Sequence, residues 1–293
     1  MKQEINWLIC PHQSFRSNWI LKSIKAKQKI SYKNLWSSFV FDHLVERKMF
    51  LPEALRVLDL LSPVSAKIKT RIDSFSKNPH HHNAVEKSTV LKWPNTIATD
   101  IDLTIEPDLE LRIQTQSRLK IKKPYIVIAP SSQWKTKRWT VSGFNELSRK
   151  LSHDGFNVYF VGHGEEVDHC FEIEKSVNDT SLRTEVRSLA GQTTLTELHG
   201  LLSEAEFVVA NDSGPMHMAA VAGRPVVGIF GPTTLTLGYR PWANHSVVVQ
   251  KDLGCRPCGK HGHNRCPIGT HDCMKKIEAR EVYEATRQVK LLS

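Results

Sequence analysis

From residue 125 onward the chain repeats one unit: a short β-branched apolar run, a turn carrying Gly, Ser or Asp, and an amphipathic stretch at helical spacing. YIVIAP (125–130) reads as a buried strand, followed by the polar loop SSQWKTKRW and a helix, VSGFNELSRKLSHDG, that Gly155 stops. NVYFVGHG (157–164) is the next strand, with a helix from Glu165 and then TLTELHGLLSEA, where Thr194 and Glu197 have capping-box spacing. FVVAN (207–211) and PVVGIFGP (225–232) are further strands, on either side of the turn and short helix DSGPMHMAAVAG that Gly223 ends. Parallel strands need long crossovers, usually helical, so this alternation predicts an α/β protein with a doubly wound parallel sheet.

The first half is less regular. INWLIC predicts a strand, SFRSNWILKSIKA a helix, KISYKN a short strand, PEALRVLDLLSPVSAKIK a helix, and NPHHHNAVEKST (78–89) a loop. The polar run DLTIEPDLELRIQTQSRLKIKKP marks a boundary, giving one domain over 1–115 and a second over 116–293; 293 residues suffice for two cores of ordinary size. A 40% hydrophobic and 24% charged composition is that of a folded globular chain. INWLIC is too short for the apolar core of a signal peptide, and no apolar stretch approaches the roughly 20 residues of a membrane span. These features predict a cytoplasmic protein, at most peripheral to a membrane.

The 40 Lys and Arg against 30 Asp and Glu leave a formal charge of +10, which favours anionic partners without choosing among them. Between Ile5 and Phe41 there is no acidic residue, while Arg16, Lys22, Lys25, Lys27, Lys29 and Lys33 follow one another. That run is either a solvated face or an anion-binding surface.

In an open parallel sheet, ligands bind beyond the carboxyl ends of the strands, so chemistry is sought in the loops that follow them. Asp212, Ser213 and Gly214 precede Pro215 at the start of a helix whose first N–H groups have no partner within it. Such an end suits phosphate, with Gly214 allowing close backbone approach, Asp212 accepting from sugar or ribose hydroxyls, and Met216 and His217 in the first turn. The competing reading is that Asp212 and Ser213 merely cap the helix. Ser131, Ser132, Lys135, Lys137 and Arg138 bring hydroxyls and cations to a second strand end, where Lys137 suits a diphosphate; solvated lysines are the alternative. Glu165, after the third such strand end, is placed for a ribose hydroxyl.

In order and spacing, IAPSSQWKTKRW, VYFVGHGEE, SLAGQTTLTEL and VVANDSGPMHMAAVAGRPVVGIFGPT resemble the heptosyltransferases of glycosyltransferase family 9, over about residues 120 to 277. The most specific parts are KRW (137–139) and Asn211 to His217 with the downstream FGPT. The resemblance implies a GT-B-like fold of two Rossmann-like domains, the N-terminal one incomplete. It implies an inverting, metal-independent transfer that needs no cofactor, with ADP-heptose or a related nucleotide sugar as donor and a lipid A-core acceptor at the inner membrane surface. Carried over by position, Ser132 and Lys137 contact donor phosphate, Glu165 the nucleoside, Thr193 the base edge, and Asp212 through His217 the phosphates and sugar. LICPHQSFRSNWILKSIKAKQKISYKN resembles the family's later acceptor-side segment. The glycine-bearing opening loop whose Asp serves the family as general base has no counterpart in this sequence, so the alternative expectation is a non-catalytic nucleotide-sugar-binding remnant.

Cys255, Cys258, Cys266 and Cys273 crowd into CRPCGKHGHNRCPIGTHDC. The first pair has zinc-site spacing, the later gaps match no standard finger, and the choice lies between structural metal and packed thiols. Cys10 and Cys170 stand alone as packed residues. A nucleic-acid-binding reading of the charge and cysteines is disfavoured, because neither predicts an ordered α/β ligand edge.

Overall fold

The computed structural model describes residues 5–76, 90–92, 104–177, 181–243 and 245–292. The chain divides into unit 1, Met1–Ala84 with Thr236–Tyr239, and unit 2, Val85–Leu235 with Arg240–Ser293.

In unit 1, β1 (Trp7–Cys10), β2 (Gln28–Tyr32) and β3 (His43–Val45) form a parallel sheet in that order. Helix α1 (Phe15–Lys22) crosses from β1 to β2 and starts where the Ser14 hydroxyl accepts from the Ser17 amide at 3.2 Å. The single helix expected over PEALRVLDLLSPVSAKIK is two, α2 (Glu53–Asp59) and α3 (Ala66–Ser76). Pro63 between them has no N–H to donate and disfavours helical geometry in the residue before it. The expected loop at 78–89 lies outside the described residues.

Unit 2 is built on a seven-stranded sheet. Its strands are β4 (Val90–Lys92), β5 (Tyr125–Ala129), β6 (Asn157–Phe160), β7 (Val186–Ser188), β8 (Val208–Asn211), β9 (Val226–Phe230) and β10 (Ser246–Gln250). Their order is β4-β10-β9-β8-β5-β6-β7, parallel throughout except for β4 against β10. β5, β6, β8, β9 and β10 are buried at every position, as strands covered on both faces must be.

Two groups of helices cover the sheet. In one, α5 (Val141–His153) packs on α6 (Val167–Val177) and α10 (Ala279–Leu292), which follows the single turn α9 (Asp272–Lys275); in the other, α4 (Leu109–Arg118) packs on α7 (Leu195–Leu202), which meets α8 (Gly214–Val221). Phe144, Leu147 and Leu151 of α5, Ile173 of α6 and Val282 of α10 join the strand residues in one large core. Gly155, at φ +91°, takes the left-handed turn that ends α5, while the Phe156 amide returns to the Leu151 carbonyl. The polar run expected to mark a boundary near 105–123 contains α4, capped by Asp108 and belonging to unit 2, so the division falls at 84/85 instead of 115/116.

The topology locates the site. From β5 the chain moves outward through β6 and β7, then returns to β8 on the opposite flank of β5. The loops leaving β5 and β8 therefore diverge, and the crevice between them is the switch point where a doubly wound sheet accepts ligands.

Candidate ligand site at the switch point

Asn211 ends β8 fully buried, and its side chain cross-links the two diverging loops. Its Nδ2 donates to the Pro130 carbonyl after β5 at 2.5 Å, and its Oδ1 accepts from the Trp139 amide at 3.3 Å. The Trp139 indole, also buried, donates to the Ile277 carbonyl at 3.0 Å. KRW is thus held at both ends of its tryptophan, and Lys137, in a 3₁₀ turn over Lys135–Lys137, is aimed inward.

Lys137 Nζ donates to Asp212 Oδ2 at 2.7 Å, with side-chain exposures of only 8% and 3%. The Thr233 hydroxyl, in the FGPT turn after β9, donates to the same oxygen at 2.6 Å. Arg256 Nη2 in turn donates to the Thr233 carbonyl at 2.7 Å and to Gln250 Oε1 at 2.8 Å. An ion pair this dry is strong only while both partners remain.

Asp212 does not cap α8, and neither does Ser213: the Ser213 hydroxyl donates back to the Asn211 carbonyl at 3.1 Å, leaving no side-chain cap on the helix. The capping alternative therefore fails, and the helix start faces outward at Gly214, where an added Cβ would meet nothing within 4 Å. Pro215 occupies the first turn as expected. Met216 is fully buried, its sulfur 3.2 Å from where a Cβ on Gly228 would lie, so its side chain is core and only its backbone belongs to the turn. His217 is held below its ordinary pKa by burial, with Lys137 acting in the same direction and Asp212 against it.

Beside the start of α8 lies a pocket of about 430 Å³, whose walls come from the loops after β6 and β7 as well. Gly162 and Glu166 line one side, Thr193 and Leu195 a second, Pro215 and Met218 the third. The Gly191 amide donates to the Gly162 carbonyl at 2.9 Å and joins the first two walls. Glu165 is exposed and absent from this lining; its neighbour Glu166 faces the pocket, with Oε2 accepting from the His163 amide at 3.2 Å. Ser131 and Ser132 are buried at the end of β5, where Arg138 Nε donates to the Ser132 carbonyl at 2.9 Å. Sequence reasoning missed Glu166, Thr233 and the cross-linking role of Asn211.

The cysteine-rich loop packs on the Lys137 turn. Thr136 donates to the His263 carbonyl through its hydroxyl at 2.6 Å, its own carbonyl accepts from His271 Nε2 at 2.8 Å, and a Cβ on Gly262 would lie 3.6 Å from Lys137 Cγ. Cys258, Cys266 and Cys273 line one narrow crevice with His271. Burial pushes the Cys273 thiol up to about 11; for Cys266 burial is the largest single influence and acts upward, but backbone N–H groups led by that of His271 together outweigh it and lower the thiol. All six cysteines are free thiols, and among the described residues no group of three or more His, Cys, Asp or Glu is arranged to hold a metal ion. Of the four cysteines for which metal and packed thiols were the alternatives, Cys273 is buried, Cys258 and Cys266 are half-buried and Cys255 is exposed, in a loop that packs on the Lys137 turn.

Parallel sheets in both units, with a switch-point crevice in unit 2, define an α/β fold, and solved structures of GT-B-like type share it. The chain matches the structure of E. coli ADP-heptose lps heptosyltransferase II with a TM-score of 0.71 and 20% identity, over 98% of this chain and 76% of that one. It matches a glycosyl transferase family 9 structure from Veillonella parvula DSM 2008 with a TM-score of 0.74 and 17% identity, over 100% and 75%. The model of glycosyltransferase family 9 (heptosyltransferase) covers residues 2–267, and the chain belongs to that family. Lipooligosaccharide heptosyltransferase 2 of Campylobacter jejuni is 28% identical over 222 residues, 73% of this chain and 67% of that protein. Lipopolysaccharide heptosyltransferase 2 of Escherichia coli K12 is 32% identical over 120 residues, 41% and 34%. The chain spans about two thirds or less of the length of these curated relatives.

Proposed function

We propose that unit 2 binds ADP-heptose or a related nucleotide sugar across the switch point, and that the protein transfers the sugar to a lipopolysaccharide-core acceptor at the membrane surface. The nucleoside occupies the 430 Å³ pocket, its ribose hydroxyls on Glu166 and its base beside Thr193. The diphosphate lies over the Gly214 amide, with Ser132 and Lys137 beside it, and Asp212 accepts from a sugar hydroxyl. Charge accumulates on the diphosphate as the glycosidic bond breaks, and the work of these groups is to stabilise that charge: a fixed ammonium and the positive end of α8 serve without reorganisation. No metal is needed in that scheme.

The observation that carries this reading is the buried Lys137–Asp212 pair beside an uncapped helix start. Calorimetric titration with ADP tests it: Lys137→Gln and Glu166→Gln should each weaken binding roughly tenfold or more, the scale of one lost charge-assisted contact. Parent-like affinity in Lys137→Gln would sink the site. A transfer assay with ADP-heptose and heptose-deficient core lipid tests the reaction itself.

A further inference from the structure

One face of unit 1 presents aromatic rings to water. Phe15, Trp19 and Lys22 follow one another at i, i+4 and i+7 along α1, so they share a stripe, while Asn18 lies buried. The Phe15 ring sits 5.9 Å from that of Trp19 and meets Trp36 edge-on at 5.3 Å. With Phe39 and Val40 these rings and Lys22 line a groove of about 290 Å³. The rings remain exposed: Phe15 by 53%, Trp19 by 66%, Trp36 by 52% and Phe39 by 75%. Leu35, at 85%, extends the apolar character. Single exposed apolar residues are ordinary, but a contiguous aromatic cluster marks a surface that meets something other than water.

The charge of the same segment, whose Lys22 lines the groove, narrows what that is. Arg16, Lys22, Lys25 and Lys33 are exposed, and among the described residues none of them has an ion-pair partner. From Ile5 to Phe41 the segment has no carboxylate to oppose them. Tryptophan and phenylalanine seat well at the headgroup level of a bilayer, and lysine stems reach lipid phosphates from the same depth. No described helix is long and apolar enough to cross a membrane, so any contact of this face with a bilayer is interfacial.

We propose that this face of unit 1 docks on an anionic phospholipid bilayer, with Phe15, Trp19, Trp36 and Phe39 at the headgroup boundary and Arg16, Lys22, Lys25 and Lys33 on lipid phosphates. The proposal stands on unit 1 alone, so it and donor binding by unit 2 can fail separately. The test is flotation of the full chain with vesicles of phosphatidylethanolamine and phosphatidylglycerol, set against vesicles of phosphatidylcholine alone, together with tryptophan fluorescence. Binding to the anionic vesicles is expected, with a blue shift in emission and weakening as salt rises. Trp19→Ser with Trp36→Ser should lower partitioning to both vesicle types, whereas Lys22→Glu with Lys25→Glu should lower it by about tenfold or more on anionic vesicles only. Circular dichroism and ADP titration of the same variants report that the fold is intact. Absence of binding to anionic vesicles, or undiminished binding in the tryptophan variant, overturns the proposal. So does a self-associated chain that Trp19→Ser returns to monomer without any vesicle binding, which would make the face a contact between copies.

Discussion

At the scale of single residues, the Lys137–Asp212 pair sets the largest local stake. Asp212→Ala leaves an ammonium without its counter-charge in a site only 8% exposed and removes the acceptor of the Thr233 hydroxyl. Loss of one member of such a pair costs about 3–5 kcal/mol, which lowers the unfolding midpoint by on the order of 10 °C in a chain of this size. Lys137→Met in the same background removes the stranded charge, so the double variant should recover most of the loss. A double variant as unstable as Asp212→Ala alone would show that the pair is not what holds this corner. His217 adds a pH term. Unfolded, its ring takes up a proton as pH falls past about 6.5, whereas burial, aided by Lys137, keeps the folded ring neutral to lower pH. Over that window the unfolded chain binds more protons, so stability is complete above about 6.5 and falls as pH drops. Midpoints compared at pH 7.5 and pH 5.5 should therefore fall less in His217→Gln than in the parent. His169, lowered chiefly by its own burial, contributes a similar slope to both proteins, so equal falls would show that His217 is not the group responsible.

Among the elements, α5 shows how packing decides against local preference. Gly143 lies in its first turn, where Ala would ordinarily gain about 1 kcal/mol of helix stability. A Cβ there would stand 2.5 Å from the Trp139 ring, which its bond to the Ile277 carbonyl keeps from moving aside. Overpacking costs about 1–3 kcal/mol, so Gly143→Ala should lower stability, and ADP affinity with it, because Trp139 also positions Asn211. A higher melting midpoint would refute the account. What the sequence made legible follows from the same physics. Strands β5, β6, β8 and β9 were readable because burial on both faces demands continuous β-branched runs, and the loops after them pointed to Lys137 and Asp212. Strand β10 went unread, although SVVVQ is equally apolar, because a cysteine-rich loop follows it where the repeat has a helix. Glu166 was missed by one position: a 3₁₀ turn over Gly164–Glu166 and the bond to the His163 amide, not residue type, choose which glutamate faces the pocket. The bracing of Lys137 by His263 and His271 joins residues more than a hundred positions apart, and no local pattern announces it.

For the molecule as a whole, the two units differ in how much apolar surface they withdraw from water, and their resistance to opening should differ accordingly. Unit 2 buries one continuous core that runs through six strands and helices α5, α6 and α10. Among the described residues, unit 1 buries Ile30, Tyr32 and Leu60 as one cluster, with Phe41, Leu51, Leu55 and Ile72 buried beyond it, on a three-stranded sheet whose edge strand leaves Trp7 and Ile9 each about two-fifths exposed. Each buried side chain of this size contributes about 1.5–3 kcal/mol, so this smaller set cannot match a core of that extent. Short sheets with an open edge also lose their hydrogen bonds to local fraying. Amide hydrogen exchange followed by mass spectrometry should therefore show β1, β2 and β3 exchanging first, by opening events that leave β5, β8 and β9 protected. Saturating ADP should slow exchange at the loops after β5 and β8 and at the start of α8 while leaving β1 to β3 unchanged. If β1 to β3 exchanged as slowly as β8, the small core of unit 1 would not be setting its stability, and an account based on buried apolar surface would fail.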